Sequence, residues 1–421
     1  MDVRPQIEPA VATQVLSASF NNDRSCFAVG LNTGICMVAD QSFFSLPYKV
    51  VLDESIPRYA IYSVSLWFEH TANDVAIILD FNAGIGLVQM MNSSNYLALV
   101  GGGRQPKFSN NKVIIWDDMR GSIALEISSL TPVRGVKLSR THIVVVLQNR
   151  VSIYAFKKNN PILSENETVD NPLGVCALSD HHVAFPGRQA GHINLVDLKE
   201  LNVSIIPAHS SSLRDLQFSP DGEMIATASE TGTLIRVFST STGARVAELR
   251  RGIDPARIFS IAFSPSGTLL ACTSDKATLH VFDIPHPTRS MASKSPSPSG
   301  LPLSSPTSLL PNAGDGSGRG KWGILSRLPL MPRAFSDVYS FAQAPFETGD
   351  ESLVGGLPVS ETTTLGTTRP AKGLIGWISD ESIVVIGAGH DARWEKFSLS
   401  VGQDGRRQLL RDNWKKYLGH S

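Results

Sequence analysis

The sequence predicts an all-β chain folded as a single seven-bladed β-propeller. Three observations carry this. A β-rich run ending in an aromatic or apolar residue, often followed by Asp, recurs seven times. Through the middle of the chain its spacing runs from about 38 to about 45 residues, the length of a four-stranded blade. No sustained amphipathic helix competes with the strands.

The copies lie at residues 35–40, 113–117, 151–154, 192–197, 234–238, 278–283 and, more weakly, 392–397. Upstream of each is a second run rich in small residues, at 26–30, 97–101, 143–147, 183–187, 225–229, 270–274 and 383–387. A third run opens each unit with turns such as Phe218-Ser219-Pro220-Asp221-Gly222 and Phe263-Ser264-Pro265-Ser266-Gly267. Their Pro and Gly suit the links between antiparallel strands. Closing the ring calls for a strand near residues 1–12 to complete blade seven. Residues 406–421 read as a short basic and acidic tail of one or two helical turns.

Two spacings are too long. Between blades one and two the excess is 53–74, with the apolar stretch 59–68. It is either a segment packed on the propeller wall or sequence foreign to the fold, such as a translated intron. The second excess lies between Pro285 and Pro370, most of it a loop within blade six. Residues 287–320 are rich in Ser, Pro and Gly, a composition of disorder. They hold Ser295-Pro296, Ser297-Pro298 and Ser305-Pro306, candidate sites for proline-directed kinases or parts of a plain linker. Trp322, Ile324, Leu325 and Leu328 then alternate with basic residues. Such a stretch suits either a loop tip that enters lipid tails or a strand docked on the propeller. Residues 335–346 are expected to complete blade six, and 347–370 form a second polar loop.

The 421 residues carry 38 Lys+Arg and 38 Asp+Glu, for a formal net charge of zero. Whole-chain charge thus steers the protein to neither nucleic acid nor an anionic surface, and any anion site is local. The four cysteines, Cys26, Cys36, Cys176 and Cys272, form no CxxC pair, which fits a reducing compartment rather than a disulfide framework or zinc site. Residues 1–12 have no apolar core and do not read as a signal peptide. No apolar stretch reaches the ~20 residues of a helical membrane span. No nucleophile elbow, Walker loop or zinc-protease motif appears, so neither an enzyme nor a cofactor is expected. Gly101-Gly102-Gly103-Arg104 lacks the Lys-Ser/Thr of a phosphate loop and reads as a turn. His181-His182 has no second ligand pair and reads as a loop.

Leu249-Arg250-Arg251-Gly252 ends one strand-like run shortly before the next begins. Adjacent side chains on an extended backbone point to opposite faces, so two arginines there serve two pockets rather than one. Guanidinium groups are fixed-charge forks suited to phosphate. The flanking blades carry matching polar sets when overlaid. Blade five offers His209, Ser229, Thr233 and Arg236, and blade six offers Ser274, Lys276, Thr278 and His280. Hydroxyls and cations around a pocket are what a phosphorylated headgroup needs, although Ser-x-x-Gly-Thr also forms ordinary blade turns.

On these residues, with 95–103, 112–118, 226–236 and Leu249-Arg250-Arg251-Gly252, the chain resembles the PROPPIN (WIPI) family of phosphoinositide-binding WD-repeat propellers. The leucine before the arginines, with Ile205, Pro207, Ala208 and His209, resembles its leucine-type subgroup. The resemblance implies a peripheral membrane effector of autophagy and vacuolar or endosomal traffic. Its ligands would be phosphatidylinositol 3-phosphate and phosphatidylinositol 3,5-bisphosphate. Arg250, His209, Ser229, Thr233 and Arg236 would form one site, and Arg251, Ser274, Lys276, Thr278 and His280 the other. It further implies a membrane-contacting loop within 285–334 and recruitment of an autophagy lipid-transfer protein by a monomer. Ala277 departs from the family's usual glycine, and 53–74 has no family counterpart. The alternative is a WD-repeat interaction scaffold without lipid binding.

Overall fold

The computed structural model describes residues 13–22, 24–40, 65–71, 74–91, 94–285, 338–348, 372–387 and 392–418. Their strands form seven sheets in a ring, six of them simple antiparallel meanders whose order follows the chain or nearly so. Blade one contains β1 (Val15–Phe20), β2 (Phe27–Leu31), β3 (Gly34–Asp40), β4 (Ser65–Thr71) and β5 (Asp74–Asp80). Blade two is β6 (Ile85–Met90), β7 (Tyr96–Gly101), β8 (Lys112–Asp117) and β9 (Ser122–Ser128). Blade three is β10 (Val133–Leu138), β11 (His142–Leu147), β12 (Arg150–Ala155) and β13 (Ile162–Glu167). Blade four is β14 (Ala177–Leu178), β15 (His182–Pro186), β16 (His192–Asp197) and β17 (Val203–Pro207). Blade five is built from β18 (Leu213–Phe218), β19 (Met224–Ser229), β20 (Leu234–Ser239) and β21 (Arg245–Arg250). Blade six starts with β22 (Ile258–Phe263), β23 (Leu269–Ser274) and β24 (Thr278–Asp283). Two short strands follow, β25 (Val338–Tyr339) and β26 (Ala342–Pro345). Blade seven is β27 (Leu374–Ser379), β28 (Ser382–Ile386), β29 (Arg393–Val401) and β30 (Arg407–Lys416).

The seven sequence repeats are the third strands of the seven blades, and the small-residue runs are the second strands. These central strands are buried on both faces, so they read as near-continuous apolar runs. Packing is between blades. Ile235, Val237 and Leu249 of blade five meet Ile258, Leu270 and Phe282 of blade six in one buried cluster. Burying such a side chain contributes about 1.5–3 kcal/mol. The ring closes through blades seven and one. Phe27 packs edge-on to Tyr417 at 5.2 Å, and the Tyr417 hydroxyl donates to the Gly387 carbonyl. Gly376 is required there, because a Cβ would lie 2.5 Å from the Phe20 ring.

Two expectations change. The tail read as helical turns is β30, which pairs with β29 along its whole length. Its side chains are mostly solvent-facing, with Leu409 the buried exception, so apolar alternation is too faint to mark a strand. β30 is therefore the fourth strand of blade seven; residues 1–12, expected in that place, lie outside the described residues. The stretch 335–346 does not form one strand. β25 pairs parallel to β21 at the edge of blade five, and the chain then crosses to β26, which completes blade six against β24.

Of 53–74, residues 65–71 form β4, the outermost strand of blade one, antiparallel to β5; 53–64 lie outside the described residues. So do 286–337, which contain the Ser-Pro sites and Trp322, Ile324, Leu325 and Leu328, and most of 347–370. The two ends of the blade-six excursion are held by one side chain. Arg407 of β30 forms a two-pronged ion pair with Asp283, at the end of β24. The same guanidinium lies 3.5 Å over the Phe341 ring, where the chain returns.

Candidate phosphate-recognition sites in blades five and six

The double arginine closes β21 and places its two side chains on different sides of blade five. Leu249 is fully buried toward blade six. Its neighbours Glu248 and Arg250 therefore face the other way, by the two-residue period of a strand. Register puts Arg236 opposite Glu248 and Leu234 opposite Arg250, so Arg236 and Arg250 share the face turned to blade four.

His209, in the link from blade four, lies on that same side. Its Nε2 is 2.9 Å from the Thr227 hydroxyl. Arg236 donates from Nη1 to the Ala208 carbonyl at 2.6 Å and from Nε to Glu248 at 2.7 Å. Arg245 also bonds Glu248, at 2.7 Å. Burial, and next the nearby Arg236, push the His209 pKa down to about 4. The group thus gathers His209, Thr227, Arg236, Glu248 and Arg250. Ser229 is buried at the end of β19, and its carbonyl accepts the Gly232 N–H in the turn leading to Thr233. That turn is tight: Gly232 has φ +62°, and a Cβ on it would lie 1.8 Å from the Ala256 carbonyl.

Arg251 lies on the blade-six side and is itself buried, 8 % exposed. Its Nε donates to the Gly232 carbonyl at 2.9 Å, its Nη2 to the Asp254 carbonyl, and its backbone N–H to Thr233. The guanidinium is close enough to His280 to lower its pKa, which burial already depresses; the two bring it to about 4. His280 Nδ1 is 3.0 Å from the Ser340 hydroxyl, and its ring stacks along Phe282. Ser274 has no exposed surface; its γ-oxygen accepts the Lys276 N–H at 3.3 Å, which makes it a turn-former. Thr278 bonds the Lys276 carbonyl, and Lys276 stands exposed at the tip. Asp275 beside it is taken up by Arg257. Ala277 adopts φ +55°, the left-handed region, where blade five has Gly232.

The structure therefore brings Arg250, Arg236 and His209 together, and separately Arg251 and His280. Ser229 and Ser274 are the least accessible members of the two sets. Thr227, Glu248 and Ser340 were not singled out from sequence. Glu248 was findable, because it is two residues before Arg250 and on its face. Thr227 needs the register of two strands, and Ser340 lies beyond a long excursion of the chain. Both histidines are neutral at pH 7, and a phosphate beside them would favour their charged form. Among the described residues, no group of three or more His, Cys, Asp or Glu is placed to hold a metal. No helix among them is long and apolar enough to cross a membrane.

A family model described as PROPPIN matches residues 85–302, a span that includes both groups. The SVP1-like protein 2 of Neurospora crassa is 46% identical over 459 aligned residues, covering 100% of both chains. Kluyveromyces lactis Hsv2 superposes with a TM-score of 0.65 at 20% identity, covering 96% of this chain and 99% of that one. A structure of KlAtg21 in complex with the coiled-coil of AgAtg16 gives a TM-score of 0.59 at 19% identity, covering 96% and 99%.

Proposed function

The chain belongs to the PROPPIN family, a family of non-enzymatic phosphoinositide-binding propellers of autophagy, and from this membership we propose that it is a peripheral membrane effector reading two 3-phosphorylated headgroups at once. The ligands are phosphatidylinositol 3-phosphate and phosphatidylinositol 3,5-bisphosphate, on pre-autophagosomal, endosomal and vacuolar membranes. Arg250 with Arg236, His209 and Thr233 takes one headgroup. Arg251 with His280, Thr278 and Lys276 takes the other. The observation that carries this reading is the divergence of Arg250 and Arg251 to opposite sides of blade five, each beside a histidine.

Each headgroup contact is modest alone. Two sites on one rigid ring raise avidity by roughly 10²–10⁴ when both reach one bilayer. Basic residues near an anionic leaflet add about 1 kcal/mol each. Insertion of Trp322, Ile324, Leu325 and Leu328 adds roughly 25 cal/mol for each Å² of apolar surface buried. Stable attachment generally takes two such signals. The protein acts as a monomer and hands its membrane to autophagy proteins, the lipid-transfer protein foremost.

The test is flotation with liposomes containing 3-phosphoinositides. Arg250→Thr and Arg251→Thr each weaken recovery, and the double variant is absent from the floated fraction while its far-ultraviolet circular dichroism stays that of a β-propeller. Co-flotation of the folded double variant would sink the two-site reading. Trp322→Ala with Leu325→Ala keeps headgroup selectivity and shortens membrane residence. An unchanged dissociation rate would place insertion elsewhere.

A further inference from the structure

We propose that Tyr339 is a further headgroup-binding residue, its phenol hydroxyl donating to a phosphate held at the Arg250 site. The inference rests on the headgroup reading above and adds to it a wall supplied by the returning chain. β25 is only two residues long, yet its register is defined: Val338 pairs with Leu249 and Tyr339 with Arg250, in parallel. Paired residues on neighbouring strands put their side chains on one face of the sheet. Leu249 is buried toward blade six, so Val338 shares that side. Tyr339 then lies with Arg250 on the face turned to blade four, where Arg236 reaches the link that carries His209.

A second observation fixes the same direction. Ser340, one residue on, is turned to blade six, with its hydroxyl 3.0 Å from His280 Nδ1. The dipeptide Tyr339-Ser340 thus repeats what Arg250-Arg251 does beside it, one member turned to each site. Its position is held from close by. The Phe341 N–H donates to the Val281 carbonyl at 3.0 Å, and the Arg407 guanidinium lies over the Phe341 ring. The chain is therefore anchored two residues after Tyr339.

The chemistry suits the place. Tyr339 is 52 % exposed, so the residue is accessible to a ligand. Neighbouring strands lie about 4.8 Å apart, a gap that a tyrosine side chain spans, so its hydroxyl meets a group gripped by Arg250. A phenol supplies one O–H donor, and phosphate oxygens accept. Hydrogen bonds to an ionised acceptor are the stronger class.

Phosphatidylcholine liposomes containing phosphatidylinositol 3-phosphate, titrated against the full-length protein, test this as a double-mutant comparison. Tyr339→Phe keeps the ring, removes the hydroxyl and leaves the unfolding midpoint at the parent value. It is expected to weaken apparent affinity roughly three- to tenfold in the parent, the loss usual for one hydrogen bond. In Arg250→Thr, where that site has lost its arginine, it changes nothing further, whereas the effect of Ser340→Ala persists there. Phenylalanine is the more apolar residue, so a position that served lipid insertion would bind as well or better with it. Equal or tighter binding by Tyr339→Phe therefore overturns the proposal. The same weakening in both backgrounds also overturns it, since Tyr339 would then act outside the Arg250 site. The headgroup reading fails by a different result, flotation of the folded Arg250→Thr/Arg251→Thr variant, so the two failures are distinguishable.

Discussion

Blades five and six present the same hairpin twice, held by different means. Ser229 corresponds to Ser274, Gly232 to Ala277, Thr233 to Thr278 and Arg236 to His280. In blade five the group is closed by its own sheet, because Glu248 on the fourth strand neutralises Arg236. In blade six the fourth strand arrives only after the long excursion, and the side chain facing His280 is Ser340, from the crossover that precedes β26. Blade five is thus an ion-paired site of local origin. Blade six is a less charged site whose last wall depends on how the chain returns. Duplication fixed the positions, and the fourth strand decides the electrostatics.

Four measurements break or sharpen that contrast. The largest effect is expected at the hairpin turns. Gly232→Ala forces a Cβ against the Ala256 carbonyl at a positive φ, costing about 3 kcal/mol or more in urea unfolding. Ala277→Gly relieves a left-handed residue and is expected to raise stability by up to about 1 kcal/mol. Destabilisation by Ala277→Gly would mean that the two turns are not equivalent.

Next come the arginines. Arg251→Thr abandons the carbonyls of Gly232 and Asp254, for a loss of about 2–3 kcal/mol. Arg250→Thr, at a partly buried position, is expected to shift stability by less than Arg251→Thr does. Matching unfolding midpoints for the two variants would contradict the buried role of Arg251.

The third effect is on pH. Both histidines have a folded pKa of about 4, below the ordinary value near 6.5. Their contribution to stability is whole above about pH 6.5 and is lost as pH falls toward 4. Between pH 7 and 5 this amounts to roughly 1–2 kcal/mol each, nearer the lower figure for the less buried His209. Liposome binding changes in the opposite sense and strengthens over the same range, since phosphate favours the charged imidazole. A flat profile for both observables would remove the histidines from the sites. The smallest change is Ser340→Ala, about 1 kcal/mol, with weakened headgroup binding in blade six only, read out in an Arg250→Thr background.

The ring was legible in the sequence because the second and third strands of each blade are buried on both faces and announce themselves as apolar runs. Outer strands were not, and β30 shows why. Apart from Leu409, its side chains from Arg407 to Lys416 are turned mostly to water, and what makes it a strand is pairing with β29. The candidate sites were legible for a related reason. Arg250 and Arg251 sit at a strand end where period two alone separates them, and Gly232 marks its turn. What escaped was whatever needs two strands or a long return to meet: Thr227 under His209, Glu248 against Arg236, and Ser340 at His280.

Arg407 carries a consequence for evolution rather than for binding. By gripping Asp283 and the Phe341 ring together, it sets the ends of the blade-six excursion from outside that excursion. The ring then does not depend on how much chain runs between them. Closing a loop twice as long costs only about 0.6 kcal/mol more. The segment is therefore free to lengthen, shorten and change composition between relatives while the two sites beside it keep their geometry.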